Sequence, residues 1–298
     1  MRSLGQFLSI MVIGLPAISG LASPLPVGQS QRDLVVADMV IPLHIYKPAN
    51  YRGGPLLVSF HGLSRDIARY LAAAKPIADR GAMLLVVPLF DRARFPYWRY
   101  QGLGLTRQSR RVTAGPIPVE PPGTWTSVLI ARVIEEIRRA EGNPALHYYL
   151  MGHSAGGQLA NRIAAFAAHD ATRIRILVAN PGSYVQPTRA ARFPYGFGAL
   201  PDPLSDDAML QRYLAQPMTI LTGTADTLDE NLDKRPAAMA QGANRYERAR
   251  NVFHTARDLA HQRGWKFNWH LIEVPGVGHD VEAMYKSPQA GLALFGTP

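Results

Sequence analysis

The chain has no cysteine. That removes a disulfide framework, a thiolate nucleophile and a cysteine metal site, and leaves stability to a hydrophobic core. It has no low-complexity tract and no internal repeat, so fibrous, solenoid and disordered classes are excluded. Beyond the N-terminus no apolar run reaches membrane-spanning length, so stable membrane insertion is not expected. Acidic residues are scarce beside basic ones: 22 Asp and Glu against 32 Lys and Arg, a formal net charge of +10. No nucleic-acid-binding motif accompanies that charge, so nucleic acid is not an expected partner. The excess fits either a solvated basic surface or attraction to an acidic substrate or envelope polymer. Asp229, Glu230 and Asp233 bring three acids close together, but their spacing matches no EF-hand. A loop salt-bridged to Lys234 and Arg235 is the simpler expectation, with no metal site.

What is present is a globular composition, 47% hydrophobic and 18% charged, in a chain of 298 residues. Residues 1–22 read as a secretory signal peptide. Arg2 gives a positive start, Phe7 to Leu15 an apolar core broken by Gly14, and Ser19-Gly20-Leu21-Ala22 a small-residue cleavage site. Export to the periplasm or the exterior is therefore expected, with residues 23–298 forming one domain.

The centre of that domain is Tyr148-Tyr149-Leu150-Met151-Gly152-His153-Ser154-Ala155-Gly156-Gly157. An apolar run with the character of a buried strand precedes Gly-x-Ser-x-Gly, and apolar residues at helical spacing follow it. A strand turning into a helix through this motif is a nucleophile elbow. Gly152 and Gly156 let strand and helix approach each other, and the turn lifts the Ser154 hydroxyl above the sheet edge.

Around this stretch, buried-strand runs and amphipathic helical segments alternate. Leu34 to Val36 and Ile41 to Tyr46 begin an antiparallel pair. Strands are then predicted at 55–60, 82–90, 148–153, 174–179, 218–222 and 267–274. Helices are predicted at 66–80, with a kink or restart at Pro76, and at 124–140, 158–166, 246–262 and from Val281. The fold class is α/β, a doubly wound and mostly parallel sheet with helices on both faces. Two insertions, at about 91–123 and 180–217, leave from strand ends where such sheets bind ligands.

A serine needs a base, and the base needs an acid to hold its tautomer. In this architecture the acid and then the histidine follow the serine along the chain. Asp226, just past the 218–222 strand, and His279, on a Gly-rich loop past the last strand, occupy those places. Asp229, Glu230 and Asp233 on the same loop as Asp226, and Asp202 after the earlier strand, are rivals for the acid, and a helix cap is the other role open to Asp226. His153 is expected to point away along the elbow. The oxyanion donors are expected to be the amides of Ala155 and of Leu63, in His61-Gly62-Leu63, although Gly62 can instead serve a tight turn. Arg92, Arg94, Arg99, Arg107, Arg110 and Arg111, interleaved with Phe95, Tyr97, Trp98 and Tyr100, suggest a carboxylate-binding wall. The same run also fits a packed surface loop. His61, Arg92, Arg94, Trp98, Arg99 and Tyr184 are the substrate-contact candidates.

Together, Gly152-His153-Ser154-Ala155-Gly156, His61-Gly62, Asp226 and His279 resemble the α/β-hydrolase superfamily over essentially the whole mature chain. Within it, the secreted setting and the His-Gly-x loop are similar to the polyhydroxybutyrate depolymerase and feruloyl esterase-like branch. The resemblance implies serine hydrolysis of an ester, sometimes an amide, without a cofactor. The chain departs from it in lacking the longer Gly-rich oxyanion motif and any polymer-binding module. The expectation is an exported serine hydrolase of a small or polymeric carboxylic ester, with an anionic substrate among the options. Two alternatives stand beside it. One is an amidase, peptidase or depolymerase acting on an acidic polymer such as polyaspartate. The other is a non-catalytic binding protein on the same fold.

Overall fold

The computed structural model describes residues 24–36, 39–108, 115–167 and 174–296. Residues 1–22, expected to be a signal peptide, and Arg110, Arg111 and His169 lie outside them. The architecture follows from where continuous apolar runs occur. Five-residue strands β3 (Leu56–Phe60) and β4 (Leu84–Pro88) are buried at every position, as strands covered on both faces must be. By contrast β1 (Gly28–Val36) alternates buried and open positions along an antiparallel ladder with β2 (Met39–Lys47). With β5 (Tyr148–His153), β6 (Ile174–Ala179), β7 (Met218–Gly223) and β8 (His270–Val274), they form an eight-stranded sheet in the order β1-β2-β4-β3-β5-β6-β7-β8. From β4 through β8 every pairing is parallel. This is the expected doubly wound sheet, with the central strand leading to Ser154 between β3 and β6.

The pleat distributes the core. Leu56, Val58 and Phe60 point to one face and Leu57 to the other; Leu84 and Val86 oppose Leu85 and Val87 in the same way. The helices α2 (Thr126–Ala140), α3 (Ala155–Phe166), α4 (Asp207–Leu214) and α6 (Arg245–Arg263) cover the first face. On the second face lie α1 (Ile67–Arg80), α7 (Val281–Lys286) and α8 (Pro288–Phe295). A short α5 (Pro236–Met239) precedes α6.

Two local expectations are corrected. Helix α1 runs through Pro76 without restarting. Ala72, whose carbonyl loses its helical donor to the proline, is exposed, so water can satisfy it. The 180–217 insertion is not wholly irregular, because Asp206 caps α4 by accepting from the Met209 amide at 2.8 Å. Its aromatics Phe193, Tyr195 and Phe197 are buried, with Phe193 and Phe197 against Phe166. The 91–108 stretch is likewise a packed layer: Phe95, Tyr100, Leu103 and Leu105 are fully buried over the carboxyl ends of the strands. Among the described residues no helix is long and apolar enough to cross a membrane.

Candidate active site

Ser154 stands between β5 and α3 with φ 58° and ψ −117°, a backbone conformation that L side chains rarely adopt. The strain is held by packing that only glycines permit. A Cβ at Gly152 would overlap the Gly156 carbonyl, and one at Gly156 would overlap the Phe60 carbonyl at the end of β3. The Ser154 amide donates to the Ala179 carbonyl at 3.0 Å, tying the turn to β6.

The side chains of Ser154, His279 and Asp226 meet at the carboxyl edge of the sheet. Ser154 Oγ lies 3.0 Å from His279 Nε2, and His279 Nδ1 lies 2.7 Å from Asp226 Oδ2. The three residues come from the ends of β5, β8 and β7, so the fold closes sequence gaps of 125 and 53 residues. Asp226 is sealed from solvent, and its second oxygen faces the buried guanidinium of Arg245 at 3.4 Å. Asp280, beside the base, accepts from the Ala283 amide at 2.8 Å and caps α7.

Ala155 is the first residue of α3, where amides have no intrahelical acceptor. Leu63 borders the same cleft, and its carbonyl accepts from Arg92 Nη2 at 2.9 Å. A side chain at Gly62 would collide with the Tyr70 hydroxyl, so the glycine allows a close approach of loop and helix α1.

His61 does not reach the cleft. Its ring is fully buried and stacked on Tyr100 at 4.8 Å, and Nε2 accepts from the Phe90 amide at 3.1 Å. Burial, and then the Arg65 charge, push its pKa down to about 3, so it stays neutral and keeps that acceptor. Tyr100 holds the start of the His61-Gly62-Leu63 loop as well, its hydroxyl donating to the His61 carbonyl at 2.7 Å.

His153 differs from expectation. Its ring lies 4.6 Å from that of His279, between Tyr70 and Tyr285. The last strand residue points to the α1/α7 face, and the His279 loop crosses above it. Burial, with the His279 charge second, drives its pKa well below the ordinary value. A neutral ring there packs against His279 without adding a second positive charge beside it.

The other contact candidates divide. Arg92 borders a cleft of about 710 Å³ beside Ser154. Arg94 turns away to Asp91 and the Val40 carbonyl, and Arg99 lies on the Phe95 ring. Trp98 is occupied by Arg107 at 4.8 Å. Tyr184 is fully buried within the 180–217 insertion, where burial raises its pKa and its backbone is held by Gln241. The cleft wall is built instead from Arg65, Phe95, Tyr97, Gln101, Gln158 and Arg235. Arg65 follows the oxyanion loop by two residues, and no sequence signal separates it from a surface arginine. Asp229 and Asp233 pair with Lys234 and Arg235, so the acidic run is the salt-bridged loop expected.

A second opening of about 380 Å³ also meets Ser154 and is bordered by His279, Arg69, Tyr70 and Glu230, none of which lines the first. Leu63, Ser154, Asn231 and Arg245 border both openings. A carbonyl carbon at Ser154 would thus have room for one group in each opening.

No family model and no curated protein matches the sequence. Solved structures do. A poly(3-hydroxybutyrate) depolymerase from Bordetella parapertussis is 35% identical, with a TM-score of 0.78 over 91% of both chains. A poly(aspartic acid) hydrolase from Sphingomonas sp. KT-1 is 30% identical, with a TM-score of 0.79 over 89% of this chain and 98% of that one. A siderophore hydrolase from Aspergillus nidulans, at 14% identity, shares the fold with a TM-score of 0.53 over 96% of each chain.

Proposed function

The chain belongs to the α/β-hydrolase superfamily, and on that footing we propose that it is an exported serine hydrolase cleaving a carboxylic ester through an acyl-enzyme. The observation that carries this reading is the line from Ser154 Oγ through His279 to the sealed carboxylate of Asp226, set at a strained elbow. Ser154 attacks the ester carbonyl as His279 Nε2 takes its proton. Asp226 holds the Nδ1 tautomer and stabilises the imidazolium. The amides of Ala155 and Leu63 hold the oxyanion while the tetrahedral intermediate collapses. His279 then gives the proton to the departing alkoxide oxygen. Water, activated by the same imidazole, attacks the acyl carbonyl and frees Ser154. The residues themselves provide nucleophile, base and oxyanion donors, so the reading calls on no cofactor.

Short p-nitrophenyl esters test it. The mature protein is expected to hydrolyse them and to be labelled at Ser154 by a fluorophosphonate. Ser154→Ala is expected to lose activity by about 10,000-fold or more. Equal rates in both proteins would sink the serine mechanism. Absence of both turnover and labelling would favour a binding protein. For export, the secreted protein is expected to begin at Ser23 on N-terminal sequencing; retention of residues 1–22 would refute cleavage.

A second reading, hydrolysis of an amide bond in an acidic polymer, draws on the 30% identity to the poly(aspartic acid) hydrolase and on the basic cleft. Matched ester and amide forms of one acyl group separate the two by their kcat/KM.

A further inference from the structure

The two openings beside Ser154 differ in charge. The smaller one contains His279, and its cations are already neutralised. Arg69 pairs with Asp280 at 3.1 Å and Glu282 at 3.5 Å, and Arg245 pairs with Asp226. In the larger one Lys234 and Arg235 have carboxylate partners, but Arg65 and Arg92 do not. Among the described residues both donate to backbone carbonyls only: Arg65 Nη2 to Phe95 at 3.0 Å and Nη1 to Gly62 at 3.4 Å, and Arg92 Nη2 to Leu63. Arg65 Nε is buried without any partner. Asp91, the acid that acts on Arg65 through space, is itself bound by Arg94.

Arg65 is also placed at some cost. It has a φ of 62°, in the left-handed region that a side chain of its size rarely adopts. The guanidinium lies over the Tyr100 ring at 4.1 Å, a cation–π contact that holds it where Arg65 lines the cleft. Burial, and to a lesser degree the like charge of Arg92, lower its pKa. Two guanidinium groups held near each other without a counter-charge, one on a strained backbone, form a site for an anion.

Which half of the substrate meets them follows from proton transfer. The leaving group takes its proton from His279 Nε2, so it departs through the opening that His279 borders. The acyl group then lies in the other opening, beside Ala155, Arg65 and Arg92. We propose that Arg65 and Arg92 form an acyl-side carboxylate subsite, so that the protein prefers esters whose acyl group carries a second carboxylate and whose leaving group is uncharged. Phe95, Pro96 and Tyr97 supply an apolar wall for the carbon chain between the two functional groups. This rests on the ester hydrolase reading above and assigns its specificity to one side of the scissile bond.

Three esters test the assignment by pH-stat: monomethyl glutarate, methyl pentanoate, and the pentanoate ester of 4-hydroxybutanoate. They carry the charge on the acyl side, nowhere, and on the leaving side. At low salt, kcat/KM for the first is expected to exceed the second by about tenfold, and to approach it as salt screens the pair. The third is expected to gain nothing over the second. Arg65→Gln and Arg92→Gln are each expected to reduce the first-to-second ratio several-fold, and Arg92→Lys to reduce it less. That ratio is insensitive to the fraction of protein that folds. An equal gain for the third ester, or an unchanged ratio in the Arg65→Gln/Arg92→Gln protein, overturns the proposal. Calorimetric titration of glutarate into Ser154→Ala reads the subsite without turnover. Binding that Arg92→Gln abolishes supports the subsite even if no ester is cleaved. No binding overturns it even if neutral esters are cleaved and Ser154 is labelled.

Discussion

Arg245 and Asp226 form an ion pair that solvent does not reach, their side chains 2% and 0% exposed. One carboxylate oxygen faces Arg245 while the other faces His279, so the acid is held between a permanent cation and the proposed base. Arg245 also donates to the carbonyls of Leu228 and Glu230. It thereby ties Asp226 to the loop whose next residues border both openings at Ser154.

Removing Arg245 alone leaves a buried carboxylate without its permanent counter-charge. Arg245→Met is expected to destabilise the protein by about 3–5 kcal/mol, measured as a fall in the guanidinium midpoint at constant slope. Asp226→Asn/Arg245→Met, which removes both charges, is expected to be more stable than Arg245→Met. Additive losses in that cycle would show that the pair carries no coupling.

Asp226→Asn addresses the other oxygen. The amide can sit beside His279 but offers a donor or a neutral acceptor where an ionised acceptor stood. The imidazole is then no longer held with its Nδ1 proton toward Asp226. A kcat loss of about 10,000-fold is expected with KM little changed. A loss below about tenfold in steady-state ester hydrolysis would move the role to another acid.

Gly156 is required by space rather than by φ. The methyl of Gly156→Ala would meet the Phe60 and His61 carbonyls, both backbone atoms of the strand that leads into the oxyanion loop. The elbow must open to admit it. A destabilisation of about 1–3 kcal/mol is expected, with a larger proportional loss in kcat than in KM because the oxyanion donors separate. Wild-type kinetics in the variant would contradict the close approach.

His61 makes stability depend on pH. Its folded pKa of about 3 lies below the ordinary histidine value near 6.5. Between those values the unfolded chain binds a proton that the folded chain excludes, so stability rises with pH. The contribution is complete above about pH 6.5 and is lost as pH falls toward 3, at up to about 1.4 kcal/mol per unit. His153, also held neutral by burial, adds to the slope in the same direction. His61→Gln can still accept from the Phe90 amide but cannot titrate. Denaturation at pH 4, 5 and 6 is expected to give a slope shallower by about one proton. An unchanged slope would mean that His61 is protonated in the fold.

Much of the architecture was determined by the sequence alone, because it rests on local periodicity. Apolar runs mark β3 through β7, and Gly-x-Ser-x-Gly between such a run and a helical apolar stripe sets the strand-to-helix turn. Ser154, Asp226 and His279 were legible because each follows a strand, and parallel strands bring their carboxyl ends to one edge. Helix α4 was less legible: its signal, an Asp206 cap and one short apolar stripe, is submerged in a stretch rich in proline and glycine.

Only the tertiary structure decided which way the loop side chains point. The arginine–aromatic run at 92–100 looks uniform along the chain. Yet burying Phe95 and Tyr100 over β3 and β4 turns Arg94 and Arg99 away and leaves Arg92 at the cleft. Arg65 and Arg245 reach the site from two residues past the His61-Gly62-Leu63 loop and from a helix start, and neither residue belongs to a motif. His153 was expected to point away, but its environment is set by α1, α7 and the His279 loop. Backbone elements obey rules of spacing that a sequence displays. A side chain on a loop obeys whichever remote residues fill the space around it, and those are fixed only when the chain has folded.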